Sequence, residues 1–389
     1  MADATTDFRP EVRRVLPAII GVRFVINVAM RMGYTFLPAF ARGSGLSVGT
    51  MSVALSAREL TALTAAQLGR ASDRLGPIRV MALGGFVAAF GLLIATLGSL
   101  GLVIGLLILG FGRTAHQVAL NAWVGSEVAY ERRGRVTGII ELTWGGASLI
   151  GLPLVGLLLG WTWWLPLLVL GLATMALSIR MRSHESHIVE APATSGRKPH
   201  MTRPVIAAVA TNGALAASAQ FLFLAHGLWL EDAYDLDAQQ VGFAVVGVGV
   251  VEVAATTASS RLTDGFGKRR SILFGAAVMT GAMFALAAWS EPPLAIGLLL
   301  LVTAFVGFEF AIVSAIPLIS ELDPGARAQM VGRAMGFTTF VRAAVTLIAT
   351  SLYLTQGFRI VMTTAGLTGI LAVTLAAFAM VEPAADSPR

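Results

Sequence analysis

Between residues 15 and 381 the chain alternates apolar runs of roughly 20 residues with short polar breaks. A helix of that length crosses about 30 Å of hydrocarbon. The breaks hold Gly, Pro or clustered charge, the residues that punctuate helices. The pattern predicts helices over 15–40, 47–69, 78–98, 100–123, 136–160, 162–180, 203–230, 238–262, 270–289, 293–318, 330–355 and 357–381. An even number, twelve, returns the chain to the side on which it began.

Composition changes this picture only by removing alternatives. The chain is 56% hydrophobic and 13% charged, against about 25% charged in soluble domains. A soluble protein of 389 residues needs polar surface that this sequence lacks. The expected fold class is therefore an all-α integral membrane protein. The polar start "MADATTDFRPEVRR" leads into an apolar run too long for a cleaved signal core, so that run is expected to stay as the first membrane helix. There is no cysteine, which excludes disulfides and thiolate metal sites. His184, His187 and His200 are too loosely spaced to suggest a metal, and no phosphate loop or nucleophile triad stands out. Neither an enzyme nor a cofactor is expected.

Charge placement gives the orientation. Basic residues gather in the N-terminal tail (Arg9, Arg13, Arg14) and after helix 2 (Arg70, Arg74, Arg79). They gather again after helix 4 (Arg132, Arg133, Arg135), in the central loop (Arg180, Arg182, Arg197, Lys198, Arg203) and after helix 8 (Arg261, Lys268, Arg269, Arg270). All these lie on one side, and only Arg42 and Arg359 fall on the other. The positive-inside rule makes the first side cytoplasmic, with both termini there. The basic balance then reflects orientation and contact with anionic lipid, and needs no nucleic-acid partner. The acidic stretch "EDAYDLD" (Glu231 to Asp237) falls outside, and "WTWW" (Trp161 to Trp164) reads as an outer aromatic belt.

The breaks also repeat. "GRASDRLGPIR" (Gly69 to Arg79) aligns with "SRLTDGFGKRR" (Ser260 to Arg270) at an offset of 191, matching Asp73 to Asp264, Gly76 to Gly267 and Arg79 to Arg270. "SEVAYERRGRVTG" (Ser126 to Gly138) aligns with "SELDPGARAQMVG" (Ser320 to Gly332) at 194. Two features in the same order imply a duplicated six-helix unit. The expected division is 1–180, a cytoplasmic linker over 181–202, and 203–389. Parallel halves related about the membrane normal are a transporter architecture.

Gly69, Asp73, Arg74, Gly76 and Arg79 resemble the G-x-x-x-D-R-x-G-x-x-R signature of the major facilitator superfamily, and Asp264, Gly267 and Arg270 resemble its second copy. The resemblance covers essentially the whole chain. It implies two six-helix bundles related by a pseudo-two-fold axis along the membrane normal, and a cytoplasmic latch built from this motif. Its arginines can pair with Glu127 at the next cytoplasmic helix end; alternatively they only anchor topology.

Ionised groups at mid-bilayer cost about 2.5–3.5 kcal/mol each on insertion scales, so each should face protein or water. They are Arg23, Arg31, Arg58, Glu59, Arg113, Glu141, Glu252, Glu309 and Arg342. Helices 3, 6, 9 and 12 carry none and are expected to face lipid. Arg23, Asn27 and Arg31 follow at i, i+4 and i+8 along one face of helix 1. They form either a wall for an acidic or polar group or permanent partners for neighbouring glutamates. Gln220 lies 193 residues after Asn27, so each half offers one amide, either to a substrate or as helix glue. Asn27, Arg31, Gln220 and Glu309 are the substrate-binding candidates. Glu309, Glu252, Glu141 and Glu59 are the proton-site candidates, because burial and a nearby Arg move a carboxyl in opposite directions. Arg58 and Glu59 point about 100° apart on an ideal helix and are not expected to share a face.

"LGFGRTAHQ" around Arg113 resembles the fourth-helix motif of proton-coupled efflux members, although Gln117 stands where the motif has glycine; the resemblance implies a coupling role for Arg113, the alternative being a structural ion pair. "GASLIGLPLVG" (Gly146 to Gly156) resembles the antiporter motif of helix 5, although Leu152 separates Gly151 from Pro153. The reading is a monomeric secondary active transporter of a small organic solute in the cytoplasmic membrane, working by alternating access. Proton-coupled efflux comes first and proton-coupled import of a small organic anion second. A non-transporting receptor or lipid-handling scaffold comes third.

Overall fold

The computed structural model describes residues 10–182, 200–254, 267–322 and 327–380. Asp264 and most of the predicted linker lie outside the described residues. Among the described residues twelve long helices follow one another. The first six are α1 (Pro10–Thr35), α2 (48–75), α3 (Pro77–Ile94), α4 (Gly98–Glu127), α5 (130–159) and α6 (Leu165–Arg182). The second six are α7 (Arg203–Tyr234), α8 (Ala238–Ala254), α9 (Lys268–Ala288), α10 (Leu294–Glu321), α11 (327–356) and α12 (358–378). A short helix, Leu37–Ser44, extends α1, and Gly357, at φ 79°, breaks α11 from α12.

Several helices outrun their predicted ends. α5 starts at Tyr130, not 136, because "ERRGR" is charged but helix-compatible. Hydropathy marks the oil, whereas the helix continues into water. Arg133 of α5 turns back and donates from Nε to Val128 O at 3.0 Å and from Nη2 to Gly125 O. These are orphan carbonyls at the end of α4, where a cation is favoured.

The repeat is written in the backbone. Gly76 sits at φ 89°, ψ 141° and Gly267 at φ 87°, ψ 140°, each directly before a helix. Only glycine enters that region cheaply. Gly45 (φ 74°) and Asp235 (φ 54°) both end the first long helical run of their half in a left-handed turn, which Asp tolerates better than most residues.

One compact unit holds the described residues up to 182 together with Ala238–Val245. There α1 is largely buried. α3 and α4 cross at backbone distance through Gly84, Gly91, Gly105 and Gly112, with no room for side chains. Small residues of this kind let membrane helices meet closely. Trp163 packs against Gly43, tying the end of the first helical run to the turn before α6.

The other unit holds the described residues of 200–237 and those from Val246 on. α7 is its most buried helix, and α9 and α10 cross through Gly275 and Gly307, the counterparts of Gly84 and Gly112. Its outer end is tied by Trp229, which donates to Ser290 O at 2.8 Å and stacks on Phe358 at 4.6 Å. Tyr353 donates to Asp232 at 2.8 Å. α8 is interrupted by a turn at Val245, the residue at which the two units divide it.

Candidate functional site

In the first unit the α1 face is occupied as its spacing requires. Arg23, Asn27 and Arg31 are all buried. The guanidinium of Arg31 lies 4.5 Å from the Trp144 ring centre, a cation–π contact. Asn27 donates to Thr143 at 2.9 Å, and its Oδ1 has no hydrogen-bond partner. Arg23 Nη1 is likewise unpartnered. Its guanidinium is attracted by Glu141 of α5 and repelled by Arg113 of α4. Among the described residues no carboxylate makes an ion pair with it. Glu141 itself is exposed. His116, one turn from Arg113, is fully buried, with Nδ1 3.1 Å from Met81 O.

A second cluster joins α1 to α2. Arg58 Nη2 donates to Glu59 Oε1 at 3.2 Å. The expectation that these neighbours could not share a face fails because the long arginine arm curls back along the helix. Tyr34 O–H donates to the same oxygen at 3.1 Å, and the Arg58 guanidinium lies 5.1 Å from the Tyr34 ring centre. Both charged side chains are closed from water.

In the second unit Gln220 joins α7 to α11. It donates to Thr346 at 2.9 Å and accepts from Arg342 Nε at 3.0 Å. Asn212 donates to Thr338 at 2.8 Å. The amides predicted at matching places thus bind matching partners, a threonine of the fifth helix of each half. Glu252 and Glu309 are buried inside protein. Phe305, one turn before Glu309, packs edge-on against Phe223 at 5.1 Å.

The latch residues are unequal. Asp73, Arg74, Arg79 and Arg270 are exposed, and Gly69 and Gly76 sit at and beside the end of α2. Among the described residues the expected pairing of the arginines with Glu127 is not made. In the second copy Lys268 binds Glu321, the counterpart of Glu127, with Nζ 2.6 Å from Oε2. Arg269 donates to Ala376 O at 3.0 Å and to Ala377 O, capping α12.

The α5 segment that resembles the antiporter motif departs from a regular helix. Ala147–Gly151 forms a single π-helical turn, and Pro153 starts the next α-helical stretch. Gly151 is pressed against Val28, and Gly156 against the backbone of Ala238 and Gln239. Gly242 returns the contact against Leu152 and Pro153.

A family model described as the Major Facilitator Superfamily matches residues 19–230. The chain belongs to the major facilitator superfamily. It is a multi-pass membrane protein and a transporter of a small molecule, not an enzyme. Its fold is similar to that of the human organic anion transporter MFSD10 (TETRAN), at 15% identity, covering 95% of this chain and 100% of that one with a TM-score of 0.68. A bacterial homologue of the human lysosomal transporter Spinster, in an inward-facing and occupied conformation, is similar over 95% of this chain and 97% of its own, at 13% identity and a TM-score of 0.77. A variant of the nucleoside transporter NupG is similar over 93% and 99%, at 14% identity and 0.75. No curated protein matches the chain.

Sequence spacing missed Thr143, Trp144, Thr346 and the site use of Tyr34 and Arg58. The repeat could have pointed to the two threonines, since an amide on the first helix of each half requires a partner on a neighbour. Nothing in the spacing could single out Trp144 from the seven tryptophans.

Proposed function

We propose that this transporter carries a small organic anion together with protons. The observation that carries the reading is the α1 face, where buried Arg23 keeps an unpartnered Nη1 donor. A buried cation left with open donors favours an anion whose oxygens would complete it. The same region holds Arg31 and Arg58, so buried guanidinium groups outnumber buried carboxylates among the described residues of the first unit. The organic anion named for the human protein of similar fold agrees in charge. An anion that binds with protons is drawn inward by a proton gradient. The distribution of Lys and Arg supports a place in the cytoplasmic membrane with both termini inside, and we take the carrier as a monomer.

A second reading, efflux in exchange for protons, is favoured by the π turn and the packed glycines of the α5 segment. Proteoliposomes with an imposed pH gradient and a panel of labelled carboxylates separate the two. Accumulation of a carboxylate when the outside is acid supports uptake with protons. Accumulation only with the opposite gradient supports exchange. Flux of cations or neutral solutes alone would overturn the anion reading.

A further inference from the structure

We propose that Arg58 is an anion-docking residue and that Glu59 is its exchangeable internal counter-ion. The assignment rests on the anion-and-proton reading above and adds a binding group and a way of coupling to it. Arg58 is 1% exposed, and its Nε and Nη1 have no hydrogen-bond partner. Only Nη2 is bonded, to Glu59 Oε1. A guanidinium offers five N–H donors and cannot shed its charge. A carboxylate that reached the guanidinium would find Nε and Nη1 unused.

Among the described residues that charge makes one ion pair, to Glu59. α1 presents Tyr34, whose hydroxyl donates to Glu59, and Arg31, whose guanidinium lies over the Trp144 ring. The Leu37–Ser44 helix presents Arg42, which is exposed, and α4 presents Arg113, which acts on Arg23. Two glycines pack against Arg58. A Cβ on Gly33 would come 3.1 Å from Arg58 Nη1, and one on Gly110 would come 2.7 Å from Arg58 O. Directly after the pair, α2 tightens into the 3₁₀ turn Thr61–Thr64, with Thr61 Oγ1 bonded to Arg58 O at 2.7 Å. A mid-helix turn of this kind is a place where a helix can bend.

Two charges then share one cation. With Glu59 ionised, Arg58 is neutralised from within and a bound anion would add a second negative charge. With Glu59 protonated, the pair loses its charge balance, and an external carboxylate restores it. Proton and anion therefore bind together, the sign that cotransport requires.

The test uses the purified full-length protein with acetate and benzoate as probes. Thermal unfolding is followed as each probe is raised at pH 8 and at pH 5. For the wild type, the probes raise Tm by about 2–4 °C at pH 5 and much less at pH 8. For Glu59→Gln, the rise appears at both pH values. For Arg58→Gln with Glu59→Gln, it disappears at both. A Glu59→Gln protein indifferent to the probes, or a double variant that still responds, overturns the assignment. If Glu59→Gln does not fold, equal responses of the wild type at the two pH values overturn it alone. Proteoliposome flux separates the two levels. Probe-linked Tm without proton-coupled flux sinks the transport reading and leaves the site; coupled flux without the Tm linkage sinks the site.

Discussion

At the residue scale the two halves use the same side-chain chemistry with different weights. Asn27 holds α5 by one bond to Thr143, whereas Gln220 holds α11 by two, to Thr346 and Arg342. Removing Asn27 deletes one neutral bond, worth about 0.5–1.5 kcal/mol. Removing Gln220 also takes a partner from an arginine donor, where bonds to charged groups reach about 1.5–3 kcal/mol. Gln220→Ala should therefore lower Tm more than Asn27→Ala in thermal unfolding; the reverse order would mean that the bond from Arg342 adds nothing to stability. The turn glycines give a sharper expectation. Gly76 and Gly267 sit where a Cβ is strained, so Gly76→Ala and Gly267→Ala should each cost about 1–3 kcal/mol and match one another. These positions were legible in the sequence because a turn demands a residue type. The partner of Arg58 was not, because a flexible arm can reach a neighbour that helix geometry turns away.

At the scale of elements, crossing glycines decide how closely helices pack. A Cβ on Gly84 would lie 2.5 Å from the amide nitrogen of His116, and one on Gly112 would lie 2.6 Å from Gly84 O. Backbone cannot yield as a side-chain tip does, so Gly84→Ala should push α3 from α4 at a cost of about 1–3 kcal/mol. A Cβ on Gly138, in α5, would meet nothing within 4 Å. Gly138→Ala should be neutral or gain up to about 1 kcal/mol from helix propensity. Thermal melts of the two variants side by side check this; equal losses would mean that helix contacts do not set the difference. Twelve helices and most of their limits followed from apolar runs, since hydropathy is what the membrane selects. The extra turns at α5 and α7 did not, because charged residues continue a helix into water without any apolar signal.

At the scale of the whole molecule, duplication was read in the sequence from the repeated turn alone, and the structure adds two further matches, the left-handed caps and the glycine crossing. Duplication does not explain a place where the repeat is broken. The first turns of α8, Ala238–Val245, cluster with the helices of the first half, and the rest of α8 clusters with the second. What holds those turns is backbone against backbone: a Cβ on Gly156 would lie 2.6 Å from Ala238 O, and one on Gly242 would lie 3.0 Å from Leu152 O. A larger residue at 156 cannot be accommodated by rotating a side chain. Gly156→Val should therefore lift the start of α8 from α5 and depopulate the arrangement described here. Because the chain has no cysteine, a single Val241→Cys, at a buried position in the first turns of α8, reports on that contact without background. Maleimide labelling of Val241→Cys should speed up at least several-fold when Gly156→Val is added, and be unchanged by Gly138→Ala. Equal labelling rates with and without Gly156→Val would mean that the glycine contact does not hold α8, and that the resemblance of this segment to an exchanger motif carries no mechanical content in this chain.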